Sequence, residues 1–194
     1  PFDRMRIIGG TRRGLRLSGL GEGDVAAHLR PTSDRVREAI FNLLVNGGHG
    51  NLVSGARVLD LFAGTGALGL EALSRGAVAV TFVDDGAAAL ALLRANIAKM
   101  RAEAETVILR QDATRLAKPP GPPFALVFLD PPYAMALGEA ALAAAAKGNW
   151  LVPGAMIVWE ESAAPLPPPG FQIVDQRKYG DTLVTLLRAP PLRT

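Results

Sequence analysis

The residues best equipped for chemistry are Asp130-Pro131-Pro132-Tyr133, which close an apolar run over 124–129. Every residue of that run is apolar, so it reads as a strand buried on both faces, as in a parallel sheet. Pro131 and Pro132 cannot donate to a sheet ladder, which forces the strand to stop there. Open α/β sheets place their ligands beyond the carboxyl ends of strands, and this rigid lip lies at one. It offers a carboxylate, backbone carbonyls freed by the prolines, and a flat ring. Such a set can hold a planar amino group by its N–H donors while stacking the ring that bears it.

A second chemical feature spans residues 58–69, Val-Leu-Asp-Leu-Phe-Ala-Gly-Thr-Gly-Ala-Leu-Gly. It reads as strand, glycine turn and helix start, and Gly64 to Gly69 satisfies the G-x-G-x-x-G dinucleotide fingerprint. Asp60, just before the turn, decides between ligands. Facing a doubly anionic pyrophosphate it would cost on the order of several kcal/mol at an effective dielectric near 20. Facing S-adenosylmethionine, which carries an ammonium and a sulfonium, it would be attractive. Charge therefore favours the methyl donor, held by Asp60, Phe62, Ala63, Gly64, Thr65 and Gly66. The glycines permit close backbone approach, and the N–H groups that open the next helix suit the methionine carboxylate. Asp84, ending the next strand, suits the ribose hydroxyls, with Asp85 its less favoured neighbour. Asp112 and Ala113, after a third strand, fall where the adenine amino group would be held; a turn or capping role is the alternative for Asp112.

The elements that must position these groups alternate from residue 57 onward. Strands are expected over 57–62, 78–83, 106–109, 124–129 and 155–159, with helices over 67–75, 87–100 and 137–147. Two further strands, 171–178 and 182–188, flank Tyr179-Gly180-Asp181 as a terminal antiparallel hairpin. This pattern implies an α/β, doubly wound, mostly parallel sheet. Its overall arrangement resembles the Rossmann-like methyltransferase sheet more than a dinucleotide-binding one. Before it, residues 4–17 read as a small β-hairpin and 19–23 as a loop. A helix opens at Pro31-Thr32-Ser33-Asp34 and ends near Asn46-Gly47-Gly48. Val36, Ala39, Ile40, Leu43 and Leu44 form its apolar stripe, with Arg35, Arg37 and Glu38 off it. Residues 1–50 are thus expected as an extension and 51–194 as the catalytic domain. The Pro-rich pieces 119–123 and 165–169 are connectors.

Composition narrows the classes. Cysteine is absent, which excludes disulfides, thiolate metal sites and a cysteine nucleophile; His28 and His49 lack metal-ligand spacing, so no metal is expected. No apolar run reaches the roughly 20 residues of a membrane span, and no signal-peptide core is visible, so a cytoplasmic protein is expected. Net charge is only +3, but arginines at 4, 6, 12, 13, 16, 30, 35 and 37 crowd the N-terminal segment. Guanidinium forks suit phosphate, although arginine also outnumbers lysine across the whole chain.

Asp-Pro-Pro-Tyr resembles the catalytic motif of S-adenosylmethionine-dependent methyltransferases acting on exocyclic or amide nitrogens. With Arg6-Ile7-Ile8-Gly9-Gly10, the stretch 30–42 (Arg-Pro-Thr-Ser-Asp-Arg-Val-Arg-Glu-Ala-Ile-Phe-Asn) and the stretch 59–76, the chain resembles the bacterial 16S ribosomal RNA guanine-N2 methyltransferase family along nearly its whole length. That resemblance implies methylation of one guanine in small-subunit rRNA during assembly; a monomer is expected. Asp130, Pro131, Pro132 and Tyr133 would be catalytic. Arg6, Arg12, Arg13, Arg16, Arg30, Arg35 and Arg37 would contact RNA. Thr32 could cap its helix or touch ligand. Overlapping motifs leave a DNA adenine-N6 or protein glutamine methyltransferase open, and a non-catalytic RNA-binding assembly factor is a third reading; a nicotinamide-dependent oxidoreductase is the least favoured.

Overall fold

The computed structural model describes residues 5–19, 32–133 and 135–191. Helix α1 (Asp34–Asn46) precedes an alternating series: β1 (Arg57–Leu61), α2 (Ala67–Ser74), β2 (Ala79–Asp84), α3 (Ala87–Met100), β3 (Thr106–Arg110), β4 (Phe124–Leu129), α4 (Leu137–Lys147) and β5 (Leu151–Glu161). The chain closes with β6 (Gln172–Tyr179) and β7 (Thr182–Arg188). The seven strands lie in the order β3-β2-β1-β4-β5-β7-β6. The first five are parallel; β7 inserts antiparallel beside β5 and β6 forms the outer edge. This is the doubly wound sheet with a terminal hairpin that the alternation implies.

Side-chain alternation assigns the two faces. Val58, Val80, Phe82, Leu126, Phe128 and Val158 pack with α1, α2 and α3. Leu59, Leu61, Val83, Val127, Leu129 and Trp159 pack with α4. Burial on both faces is why β1, β2 and β4 read as near-continuous apolar runs. Ile7, Leu17, Ile40, Phe41 and Leu44, from the expected N-terminal extension, share the first of these cores. Among the described residues, no helix is long and apolar enough to cross a membrane.

One expectation needs correction. Strand β5 is longer than 155–159, because a register irregularity opposite Phe124 and Leu126 lets the chain pair on both sides of Pro153-Gly154. The expected hairpin is present over residues 5–17: Leu17 N–H donates to Met5 O at 2.8 Å, Ile7 N–H to Leu15 O at 2.9 Å and Gly14 N–H to Ile7 O at 2.8 Å, around an Arg6–Arg16 bridge and with a 3₁₀ turn at Gly10–Arg12. Docking against α2 adds to this pairing in shaping the turn. Gly10 has φ +77, and a Cβ there would lie 1.8 Å from the Ser74 carbonyl oxygen. The buried Glu71 carboxylate of α2 accepts Ile8 N–H and Gly9 N–H, both at 2.9 Å. Asn96 of α3 joins the segment to the glycine loop, donating to Ser18 O and Thr65 O at 2.9 Å. The expected 19–23 loop lies beyond residue 19 outside the described residues, as do Arg30 and His28.

Candidate active site

Strand register and two-residue periodicity bring four acids to one face. Asp60 of β1 pairs in register with Phe82 and Phe128. Phe128 pairs with Val158, so Asp84, Asp130 and Glu160, each two residues further along its chain, project on the same side near the strands' carboxyl ends. Asp60 and Glu160 are almost completely buried. Burial pushes the Asp60 carboxyl well above its ordinary range; Gly69 N–H opposes this, and the Asp130 and Asp84 charges add to it. Asp130 is likewise pushed well above the usual carboxylate range, first by burial and then by Glu160. Burial raises Glu160 to about 7, against the hydrogen bond from Thr32. The four carboxylates therefore form one electrostatic unit that would gain from a cation.

The glycine turn meets this unit from β1. Phe62, just past the strand, holds φ 58, a left-handed conformation costly for a bulky residue, and Gly64 and Gly66 follow at φ 56 and 80. A Cβ at Gly66 would come 2.3 Å from Leu93 Cδ1, so the turn needs glycine for space as well as for backbone angle. Asp84 clamps the turn: Oδ2 accepts Gly64 N–H at 2.9 Å and Oδ1 accepts Gly86 N–H at 2.8 Å. Asp60 Oδ2 accepts Gly69 N–H at 2.9 Å within the first turn of α2. Thr65 and Ala63 are buried in the same turn. This glycine cradle, flanked by buried mutually repelling carboxylates and opening a helix, fits S-adenosylmethionine better than a dianionic ligand.

Beyond β4, Pro131 is buried and Tyr133 half-buried, its hydroxyl 3.3 Å from Thr182 Oγ1. Burial raises the Tyr133 phenol above its ordinary value, partly offset by that hydrogen bond. Asp112 stands apart from the buried acids. It is exposed and caps the 3₁₀ turn Ala113–Arg115 by accepting from Thr114 N–H and Oγ1, which holds its carboxyl below the usual range. Asp85 is exposed just after β2, and Ala113 is buried.

Sequence reasoning passed over Glu160. The signal was present, since Val158-Trp159-Glu160 repeats the apolar-run-then-acid pattern of Leu129-Asp130 on the neighbouring strand. Thr32 does not cap α1; Ser33 does, accepting from Val36 N–H. Thr32 instead aims its hydroxyl between two acids, 3.0 Å from Glu160 Oε1 and 3.4 Å from Asp130 Oδ2.

The arginines divide. Arg6, Arg13, Arg16 and Arg35 are exposed, and Arg6, Arg13, Arg35 and Arg75 line a groove of about 540 Å³ between the N-terminal segment and α1. Arg12 is half-buried, bonded to Met100 O and paired with Glu105 at 3.6 Å. Arg37 is a correction: expected on the outer face, it is fully buried. Its guanidinium donates to the Arg6 carbonyl and pairs with Asp34 at 2.6 Å and Glu71 at 3.6 Å. A guanidinium so enclosed has no fork left for phosphate. Arg75, which the N-terminal cluster did not flag, sits beneath Gly9 and is bonded to Glu71 at 2.8 Å.

Comparison with known proteins agrees with the fold. The family described as Conserved hypothetical protein 95 matches residues 5–188. Ribosomal RNA small subunit methyltransferase D of Haemophilus influenzae is 39% identical over 182 residues, covering 91% of this chain and 89% of that protein. The Escherichia coli K12 protein of the same name is 35% identical, covering 94% and 89%. The solved structure of yhhF from Escherichia coli superposes with a TM-score of 0.81 at 32% identity, covering 98% of this chain and all of that one.

Proposed function

Because the chain belongs to the Conserved hypothetical protein 95 family, alongside ribosomal RNA small subunit methyltransferases, we propose that it moves the methyl group of S-adenosylmethionine to the exocyclic N2 of one guanine in 16S rRNA. The observation that carries this reading is the rim itself: Asp130-Pro131-Pro132-Tyr133 ends β4 on the face that also holds Asp60, Asp84 and the glycine turn.

When bound, S-adenosylmethionine supplies an electrophilic methyl group whose bond electrons stay with sulfur as the acceptor nitrogen's pair forms the new N–C bond. Asp60 and Asp84 hold the donor's cationic and ribose portions, Gly64 and Gly66 let backbone approach it, and Asp112 with Ala113 borders its adenine. Guanine N2 is a weak nucleophile because its lone pair is delocalised into the ring. Asp130 and the Pro131 carbonyl accept its N–H groups and so turn the lone pair toward the methyl. An acceptor-rich rim suits guanine, whose N1–H and N2–H₂ are adjacent donors, better than adenine, whose N6 amine adjoins an acceptor nitrogen. Tyr133 stacks on a base turned out of its helix or loop. Alignment and fixed dipoles supply most of the acceleration. Arg6, Arg13, Arg16 and Arg35 hold RNA phosphates beside the pocket, in an assembling small subunit approached by a monomer.

Labelled S-adenosylmethionine with small-subunit particles tests the reading. Label is expected in N2-methylguanine after complete digestion, and Asp130→Ala should abolish it while cofactor binding stays measurable. Label in adenine, in a protein glutamine, or nowhere would overturn it.

A further inference from the structure

Glu160 has no part in the assignments above, yet it lies beside the reacting group. It is 2% exposed and is the penultimate residue of β5, the strand paired with β4. The Thr32 hydroxyl lies 3.0 and 3.2 Å from its two carboxylate oxygens and 3.4 Å from Asp130 Oδ2. A hydroxyl has one proton to donate and lone pairs with which to accept. Three carboxylate oxygens therefore outnumber its proton. Both acids bond to Thr32 at once only if one of them is protonated and donates to Oγ1. With one acid protonated the hydroxyl can bridge the pair, accepting from that acid and donating to the other.

The surroundings favour such a shared proton. Asp60 faces the pair from β1, Glu161 from β5 and Tyr133 from the loop after β4, while the buried Arg37 guanidinium of α1 is the opposing cation. Arg37 is itself engaged by Asp34 and Glu71. The raised titration of both acids, described above, agrees with this geometry.

We propose that Glu160 is the final acceptor of the proton released when the target amine is methylated, reached through Asp130 and the Thr32 hydroxyl. The inference rests on N-methylation as the reaction. Once the N–C bond has formed, the nitrogen carries one proton too many. Its N–H bond breaks with the electron pair remaining on nitrogen, and the proton passes to Asp130. Asp130 hands a proton to Thr32 Oγ1 as the hydroxyl's own proton moves to Glu160. The positive charge that entered as a sulfonium is thereby cancelled on a carboxylate, leaving a neutral amine, a neutral thioether and a neutral Glu160. A cationic donor beside the pair favours both carboxylates ionised beforehand, which readies them for this step.

Two measurements test it. In the cofactor-free protein, carboxyl ¹³C NMR should show a rim acid titrating near 7. That titration should vanish in Glu160→Gln and move upward in Thr32→Val, which loses a bond favouring the charged forms. In single turnover with labelled S-adenosylmethionine and small-subunit particles, both variants should slow by about 10- to 100-fold at neutral pH, with cofactor affinity by calorimetry within about threefold of wild type. Thr32→Ser, which keeps the hydroxyl, should restore most of the rate lost in Thr32→Val. That comparison stands even if Glu160→Gln misfolds. Rates within about twofold of wild type for both variants, or a Thr32→Ser as slow as Thr32→Val, would overturn the relay. A wild-type protein that methylates no amine would instead sink the functional reading beneath it.

Discussion

Replacing Glu160 with Gln should stabilise the cofactor-free protein, and more so as pH rises. Glu160 is 2% exposed and titrates at about 7 rather than the ordinary 4.5. Each unit of such a shift corresponds to about 1.4 kcal/mol, so the charged side chain costs the folded state on the order of 3 kcal/mol. The sign follows from the raised folded value. The contribution is intact below the unfolded value near 4.5 and is lost as pH climbs through about 7. Glutamine is nearly isosteric, still accepts from the Thr32 hydroxyl, and does not titrate. The melting temperature of Glu160→Gln minus that of wild type should therefore widen between pH 5 and pH 8 by roughly 5–10 °C, from about 2–3 kcal/mol in a chain of this size. Paired thermal melts followed by circular dichroism would measure it. Adding S-adenosylmethionine at pH 8 should narrow the gap, because its positive charges favour ionised Glu160. A gap that stays constant with pH, or a wild type more stable than the variant at pH 8, would refute the reasoning.

Other perturbations separate the parts of the site. Glu71→Gln removes a buried charge that pairs Arg37 and Arg75 and receives Ile8 and Gly9 N–H; unfolding in urea should show a loss of about 3–5 kcal/mol, with earlier proteolysis of the N-terminal segment. Gly66→Ala places a methyl against Leu93 at φ +80, so calorimetry should find cofactor binding weakened by at least about tenfold, with about 1–3 kcal/mol of stability lost. Changing Arg6 and Arg35 together to Ala should weaken RNA binding at low salt and flatten the salt slope by about one to two phosphate contacts, while cofactor affinity is unmoved.

Much of this architecture was legible before any coordinates. Runs such as 124–129 announce buried parallel strands because both of their faces are apolar, and proline or glycine marks where each stops. Asp60, Asp84 and Asp130 could be read as rim acids because each follows such a run. Glu160 obeyed the same rule directly after the expected 155–159 strand, but Glu161 and Ser162 follow it rather than the glycine or proline turn that marks the other rims. Arg37 was misread for a different reason. Helical periodicity separates apolar from polar positions, yet it cannot show that the polar side of α1 meets a buried carboxylate on α2. Asp112 was ambiguous between capping and ligand contact, and its hydrogen bonds to Thr114 show the capping role at work. The small hairpin was legible from its two β-prone runs, but its docking against Ser74 and Glu71 rests on contacts that no local pattern reveals.

The most direct test of the central claim is nucleoside mapping of 16S rRNA after reaction of this protein with unmodified small-subunit particles and labelled S-adenosylmethionine. The account predicts label confined to N2-methylguanosine at one position and lost with Asp130→Ala. Label on an adenine, on protein, or spread over many guanines would contradict it.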